Sequence, residues 1–243
     1  ALIGAAFALG FTLGPSLGVV SLLAGGEVAL SPWPGYLASA LSGVAFLMAA
    51  FMLPESIRTG ENAEGRSVLD FQALRGALSM PTVGLLLLTS FIAVFSFANF
   101  ESTLSLQIEK LVQQVATGPL DSTILGWLVA SARGWGYGEA DEIKLVVIFA
   151  VFAYLGFSLT LAQGFLVRRL ADKVSEGIMA TVGSVAATLG FVLLARAATT
   201  ESFNLLLVAM TVEVVGFAFV NPSLQSLLSR RSRADEQGGI LGL

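Results

Sequence analysis

The sequence predicts an all-α fold, specifically a polytopic bundle of transmembrane helices. Two observations lead to this prediction. Of the 243 residues, 55% are hydrophobic and only 12% are charged, whereas a soluble domain carries about 25% charged residues. The charges also lie between long uncharged stretches, such as residues 82–99 and 145–163. A chain that alternates between lipid and water shows this pattern, because each crossing must satisfy its backbone groups within a helix.

Six stretches are long enough to cross a bilayer, which takes about 20 mostly apolar residues. They cover residues 1–24, 35–53, 82–106, 145–167, 177–197 and 203–228. The linker at residues 58–78 is polar, and its segment 68–78 predicts an amphipathic helix at the membrane interface. The longest connection, residues 110–144, holds an apolar stretch at 122–132 that predicts a partly helical extramembrane excursion. The chain starts inside one apolar run and ends at the opening of another, so we expect further sequence at both ends.

The lysine and arginine residues predict the orientation, because cytoplasmic connections carry an excess of them. Strict alternation of six helices places nine on one side and four on the other. The first side holds Arg58, Arg66, Arg75, Arg168, Arg169, Lys173, Arg230, Arg231 and Arg233, and the second holds Lys110, Arg133, Lys144 and Arg196. We expect the first side to face the cytoplasm, and the short loops suit a bacterial inner membrane.

Composition excludes several classes of function. The chain has no cysteine, which rules out disulfides and zinc-thiolate sites. It has no histidine, so proton transfer near neutral pH must use carboxyl groups. No nucleotide-binding motif, metal cluster or nucleophile-base pair occurs, so we expect neither an enzyme nor a cofactor. The net charge of −4 is spread over the loops and does not predict nucleic-acid binding.

Three strings of residues predict sites of helix packing or gating. In the first helix Gly10, Gly14 and Gly18 recur every four residues around Pro15, which allows close backbone contact and a bend. The alternative is a general packing face. The second string spans residues 168–176, and the third spans residues 221–229 and continues into an acidic loop at 235–238.

The second string places one acid among basic residues at a helix end. Its members are Arg168, Arg169, Asp172 and Lys173. Such a group can form an intracellular latch that breaks in another transport state. The alternative is a topology signal without a gating role.

Together the three strings resemble motifs of the major facilitator superfamily, in its tetracycline and drug:proton antiporter-like branch. The first resembles the antiporter motif of the fifth helix, the second the loop between the eighth and ninth helices, and the third the end of the tenth. The resemblance implies that the chain covers about helices five to eleven of a twelve-helix transporter. Residues 1–57 would then end the N-terminal half, residues 58–81 would form the cytoplasmic linker, and residues 82–243 would belong to the C-terminal half.

Two carboxyl groups lie within predicted spans. Glu213 is about ten residues into its helix, hence roughly 15 Å deep, where an ionised carboxylate costs on the order of 3 kcal/mol or more. Glu101 lies nearer the outer end of the third span, on a helix that also carries Asn99. We predict that Glu213, Glu101, Asn99 and Asn221 bind a proton or the substrate. The alternative is that each only hydrogen-bonds to a neighbouring helix.

The resemblance implies a proton-coupled secondary transporter that exports a small amphiphilic molecule or drug by alternating access. Its partners would be a small-molecule substrate, protons and membrane lipid. One alternative is an importer of the same fold for a sugar, organic anion or phosphate. Another is a non-transporting membrane scaffold or sensor.

Overall fold

The computed structural model of the protein describes residues 2–25, 32–53, 75–76, 78–117 and 123–231. Within these ranges the chain is helical, and no strand occurs, which confirms the predicted all-α fold. The main helices are α1 (Leu2–Gly25), α2 (Trp33–Met52), α3 (Pro81–Thr117), α4 (Ile124–Gly134), α5 (Ala140–Leu161), α6 (Glu176–Thr200) and α7 (Phe203–Arg231). Most of the predicted linker helix and the predicted start of a further helix at 238–243 lie outside the described residues.

Five helices, α2, α3, α5, α6 and α7, are long and apolar enough to cross a membrane. α1 is helical over 24 residues with Pro15 inside it, and none of these residues is charged. Large apolar side chains such as Phe46, Phe91 and Val185 are exposed on the outside of the helices. A bilayer would cover these side chains, so the architecture is that of a polytopic membrane bundle.

The helix of the third span continues beyond the predicted end of that span near residue 106, because α3 runs as a helix to Thr117. Its outer part buries Ile108 and Val112, while Lys110 on the same part of the helix is exposed. This mixed surface packs against protein on one side, so apolarity alone does not reveal the helix. Residues 110–117, predicted as connection, are therefore part of α3.

The helix predicted within residues 122–132 is confirmed by α4 (Ile124–Gly134), and its place outside the membrane stays a prediction. The hydroxyl of Thr123 accepts a hydrogen bond from the backbone N–H of Gly126 at 3.2 Å and so caps the start of the helix. α4 then buries Leu125, Val129 and Ala132 in the main apolar core. It therefore covers the outer ends of α3 and α5.

The closest helix pair is α6 with α7, joined through glycines. A methyl group at Gly183 would lie 2.7 Å from the carbonyl oxygen of Gly216, and one at Gly190 would lie 2.6 Å from the Cα of Glu213. Small residues at such spacing let helices in lipid approach until their backbones touch. This contact fixes the position of α7, and with it Glu213.

The first helix packs along α5. A methyl group at Gly156 would collide with the backbone of Phe11 and Thr12. The hydroxyls of Thr12 and Thr160 are hydrogen-bonded at 2.9 Å. One helical face of α1 is therefore held against α5 by a backbone contact and a polar contact.

The segment that follows the C-terminal end of α5 is not a regular α-helix. It passes into a π-helix at Ala162–Val167 and then a short α-helical turn at Arg168–Leu170. Nothing in the sequence predicts this wider turn. Its Gln163 has a buried side-chain oxygen without a hydrogen-bond partner in the described residues.

Candidate functional site

The most deeply buried charged side chain in the described structure is Glu213, in the middle of α7. It is 2% exposed, and its Oε2 atom has no hydrogen-bond partner among the described residues. Because Gly190 of α6 has no side chain, the backbone of α7 can lie directly against α6 at this level. Buried polar groups are normally paired, so an unused carboxyl oxygen inside a membrane helix marks a candidate site for an ion or ligand.

A cavity of about 180 Å³ lies beside this carboxyl group, between α3, α6 and α7. Its polar lining consists of one carboxyl group and four hydroxyl groups, and the remainder is apolar. The lining residues are Thr89, Ile92, Ala93, Ser96, Ser184, Ala187, Thr188, Phe191, Glu213, Phe217 and Val220. No lysine or arginine is among them.

Aromatic rings close one side of the cavity. Phe217 of α7 stacks on Phe97 of α3, with ring centroids 4.1 Å apart and planes at 17°. Phe97 also contacts Phe11 of α1 at 6.2 Å, and Phe100 meets Phe191 of α6 edge-on at 6.3 Å. These rings tie four helices together next to the candidate site.

The second predicted carboxyl group, Glu101, lies one turn beyond Phe97 on α3 and is half-buried. It is close enough to Glu213 for the two to interact electrostatically. The fold therefore places the two carboxyl groups, which were predicted from separate spans, on helices that pack against each other.

The two predicted asparagines do not line the cavity. The exposed amide of Asn99 donates to the carbonyl oxygen of Phe95 at 2.8 Å. The side-chain oxygen of Asn221 accepts from the amide of Gln225 at 3.4 Å. A role for either residue in substrate binding stays a prediction.

Sequence reasoning missed the hydroxyl groups that α6 supplies to the cavity. Ser184 and Thr188 are four residues apart and therefore lie on one face of the helix. The spacing is visible in the sequence, but serine and threonine are common in membrane helices. Their role in lining the cavity is recognisable only when the structure shows that Glu213 lines the same cavity.

The four residues of the predicted latch lie after the C-terminal end of α5 and in the following turn, and all are exposed: Arg168, Arg169, Asp172 and Lys173. In the described part of the chain none of the four forms an ion pair with another side chain. The Arg169 guanidinium instead lies 5.8 Å from the centre of the Phe165 ring. The latch stays a prediction.

The ion pair found at this end of the bundle was not predicted. Arg230 at the end of α7 pairs with Glu176 at the start of α6 at 2.9 Å. The same carboxylate oxygen accepts a hydrogen bond from the hydroxyl of Ser226 at 3.2 Å. These contacts hold the start of α6 against the end of α7.

Of the three glycines in the α1 string, one lies against another helix in the described structure. Gly18 faces Phe149 of α5, where a methyl group would lie 2.9 Å from the ring. Methyl groups at Gly10 and Gly14 would meet no other described atom within 4 Å. Pro15 lies inside the continuous helix. Packing roles for Gly10, Gly14 and Pro15 stay predictions.

Membrane-crossing helices around a buried carboxyl group and a small cavity define a polytopic membrane protein with a candidate site for a small ligand. The family model described as Major Facilitator Superfamily matches residues 1–243, and the chain belongs to this superfamily. Membership of this superfamily supports a role in membrane transport.

One curated relative is the tetracycline resistance protein, class B, of Escherichia coli. It is 25% identical over 243 residues, which are 99% of this chain and 51% of the relative. The chain thus spans about half the length of the curated relative that it matches. No solved structure matches the chain. The antiporter branch and the numbering of the helices stay predictions.

Proposed function

We propose that the protein is a proton-coupled secondary active transporter that exports a small amphiphilic molecule or drug by alternating access. The observation that carries the proposal is the buried carboxyl group of Glu213, whose Oε2 atom has no partner in the described structure. In this proposal Glu213 carries the proton, and Glu101 modulates its ionisation through the electrostatic interaction between them.

Proton coupling is supported by the free-energy cost of an ionised carboxylate inside a membrane. An ionised carboxylate in a membrane interior is disfavoured by on the order of 3 kcal/mol or more, so Glu213 is favoured in its protonated form while the site is closed. Opening the site to water, or placing a cation beside it, favours the charged form. Proton release would thereby be linked to the conformational state, which is what coupled transport needs.

Three further observations support export of an amphiphilic substrate. The cavity combines one carboxyl group with apolar and aromatic walls, including Phe191 and Phe217. The name of the curated relative states resistance to tetracycline, and removal of a drug from the cell is one route to resistance. The glycine string around Pro15 resembles the antiporter motif.

Alternating access in the superfamily fold would come from two helix bundles rocking about a central site. We place Gly10, Gly14, Pro15 and Gly18 at the packing surface between the bundles. Asp172 and its basic neighbours Arg168, Arg169 and Lys173 would stabilise one of the two states from the cytoplasmic side.

The test is proton flux in proteoliposomes that hold the complete protein, driven by a panel of cationic and amphiphilic drugs. Because glutamine keeps the shape of the side chain but cannot release a proton, we expect Glu213→Gln to reduce drug-dependent proton flux at least about tenfold. The matched control is Asp141→Asn. Asp141 is an exposed carboxylate near the start of α5, and its partner Lys144 still forms an ion pair with Glu109 when Asp141 is replaced.

Drug-dependent flux that survives in Glu213→Gln would show that Glu213 is not the coupling group. Uptake rather than export under an imposed pH gradient would favour the importer. The absence of flux with every compound, in a correctly folded protein, would favour the scaffold or sensor.

A further inference from the structure

The short helix α4 leaves two tryptophan side chains uncovered although its other side is packed in the core. Leu125, Val129 and Ala132 are buried, whereas Trp127 and Trp135 are 67% and 63% exposed. The 11 residues of α4 are too few to cross a bilayer. α4 therefore combines a face that is fixed in the fold with an apolar face that the described chain does not cover, which marks an interaction surface.

The exposed side of α4 is divided between apolar and basic residues. At about 100° per residue, Ile124 and Trp127 lie only about 60° apart around the helix, and Ile124 is 49% exposed. Arg133 is also exposed, and it is turned by about 120° from Trp127. A helix that exposes an apolar side next to a basic one is typical of helices that lie in the plane of a membrane surface.

The backbone after α4 holds Trp135 on the outside. The N–H of Tyr137 donates to the carbonyl oxygen of Ala132 at 3.2 Å, and Gly136 has a φ of 97°, a left-handed conformation that closes a helix end in this way. Tyr137 consequently turns into the core, where it is 7% exposed, while Trp135 stays exposed. The exposure of the second tryptophan is thus set by the turn.

α4 lies at the edge of the apolar part of the bundle. Its buried face belongs to the same apolar cluster as Ile108 of α3 and Ile143 of α5. The residues that directly follow these two are charged, and Lys144 of α5 pairs with Glu109 of α3 at 3.1 Å. Because charged side chains are rare within the hydrocarbon, this ion pair marks the level at which α3 and α5 meet water. α4 therefore lies at the boundary between hydrocarbon and water.

All three tryptophans of the chain lie at the end of the bundle where α5 starts. Gly18 of α1 faces Phe149 of α5, and Phe11 faces Gly156, so α1 and α5 run in opposite directions. α1 therefore ends beside the start of α5, and after a short connection α2 begins there with Trp33, which is 49% exposed. Tryptophan is enriched where lipid headgroups meet hydrocarbon, because its large ring is apolar and its N–H is polar.

We infer that α4 is an interfacial helix that binds the headgroup region of a phospholipid bilayer through Ile124, Trp127 and Trp135. Its buried face holds α3 and α5, so the contact with lipid anchors this end of the bundle at one depth in the membrane. A soluble protein or a second copy of the chain would also cover an apolar face. Neither explains why the tryptophans gather at the level of the charged residues of α3 and α5. The contact with lipid needs no proton and no substrate, so it is independent of the proposed transport function.

The experiment attaches the fluorophore NBD to single cysteines of the complete protein in phosphatidylcholine liposomes. The sequence described here contains no cysteine, so each label reports one position once any cysteine elsewhere in the complete protein is replaced. Three quenchers are compared. The first is iodide in the water phase, the second is phosphatidylcholine with a nitroxide near its headgroup, and the third is phosphatidylcholine with a nitroxide near the end of its acyl chain.

Trp127→Cys and Trp135→Cys carry the labels on the lipid-binding face. Because an interfacial helix lies about 5–10 Å into the boundary between headgroups and acyl chains, the shallow nitroxide should quench both labels at least about twofold more than the deep one. Arg133→Cys is the matched control on the other exposed side of α4, and iodide should quench its label at least about twofold more than the label at Trp127. Phe157→Cys labels an exposed apolar position of α5, where the deep nitroxide should quench more than the shallow one.

Equal quenching by iodide at positions 127 and 133 would overturn the inference, because both sides of α4 would then face water. Labels at 127 and 135 that no quencher reaches would overturn it as well, since another part of the polypeptide or a second copy would then cover this face. Preferential quenching of both labels by the shallow nitroxide, in a protein without drug-dependent proton flux, would support the interfacial helix and count only against the proposed function.

Discussion

The contact between α6 and α7 makes the substitution Gly190→Ala a strong test of the structure. The added methyl group would lie 2.6 Å from the backbone nitrogen, Cα and Cβ of Glu213. Ordinary van der Waals contact of such a methyl group begins at 3.4 Å, so relieving the overlap in full needs a separation of about 0.8 Å, the difference between these two distances. Backbone atoms cannot rotate away as a side chain would, and the separation must therefore spread along the helix pair.

Overpacking of this kind costs about 1–3 kcal/mol, and for chains of this size each kcal/mol lowers Tm by about 2–4 °C. Alanine favours a helix over glycine by about 1 kcal/mol, which offsets part of the cost. We therefore expect a lower Tm for Gly190→Ala in detergent, together with reduced drug-driven proton flux, because the displacement moves the carboxyl group of Glu213.

The matched control is Gly177→Ala on the same helix. A methyl group there meets no other described atom within 4 Å, so the substitution should leave Tm unchanged or raise it slightly through the unfolded state. Equal Tm values for Gly190→Ala and Gly177→Ala would refute the close packing of α6 on α7.

Two further predictions concern other contacts. Gly156→Ala should lower Tm because its methyl group would collide with the backbone of Phe11, whereas Gly164→Ala, which meets open space in the described structure, should not. The hydrogen bond from Lys110, at 2.7 Å between Nζ and the carboxylate, is the main cause that lowers the pKa of Glu201 below 4.5. The stability that this contact adds is therefore complete above pH 4.5 and is lost as pH falls through the lowered pKa. The Tm advantage of wild type over Lys110→Met should shrink on acidification, and an advantage that stays constant to pH 3 would contradict the assignment.

The helical bundle was predictable because apolar length and charge segregation follow directly from the needs of a backbone in lipid. The last part of α3 was not predictable in this way, because residues 110–117 are packed by protein and carry the mixed sequence of a half-buried helix. The π-helix after Leu161 was not predicted for another reason, because a local widening of the helical turn leaves no signal in hydropathy.

The candidate site, too, was predictable from the sequence only in part. Glu213 could be singled out from the sequence, because a carboxyl group in an apolar helix is energetically costly and is therefore rare outside functional sites. The hydroxyls of α6 and the pairing of Arg230 with Glu176 depend on which faces of separate helices meet, and a single sequence does not contain that register. The positions of Gly183, Gly190 and Gly216 set the register, and only their contacts show it.

The unbroken length of α3 has a mechanical consequence. A helix of 37 residues is about 55 Å long, well beyond a hydrocarbon core of about 30 Å. The residues beyond Ser96, which lines the cavity, extend about 32 Å to the outer tip, so a tilt of about 10° at the cavity moves the tip by about 5 Å. Because the helix is unbroken, a tilt at the candidate site would carry its tip along, and a probe attached near Thr117 could follow that movement.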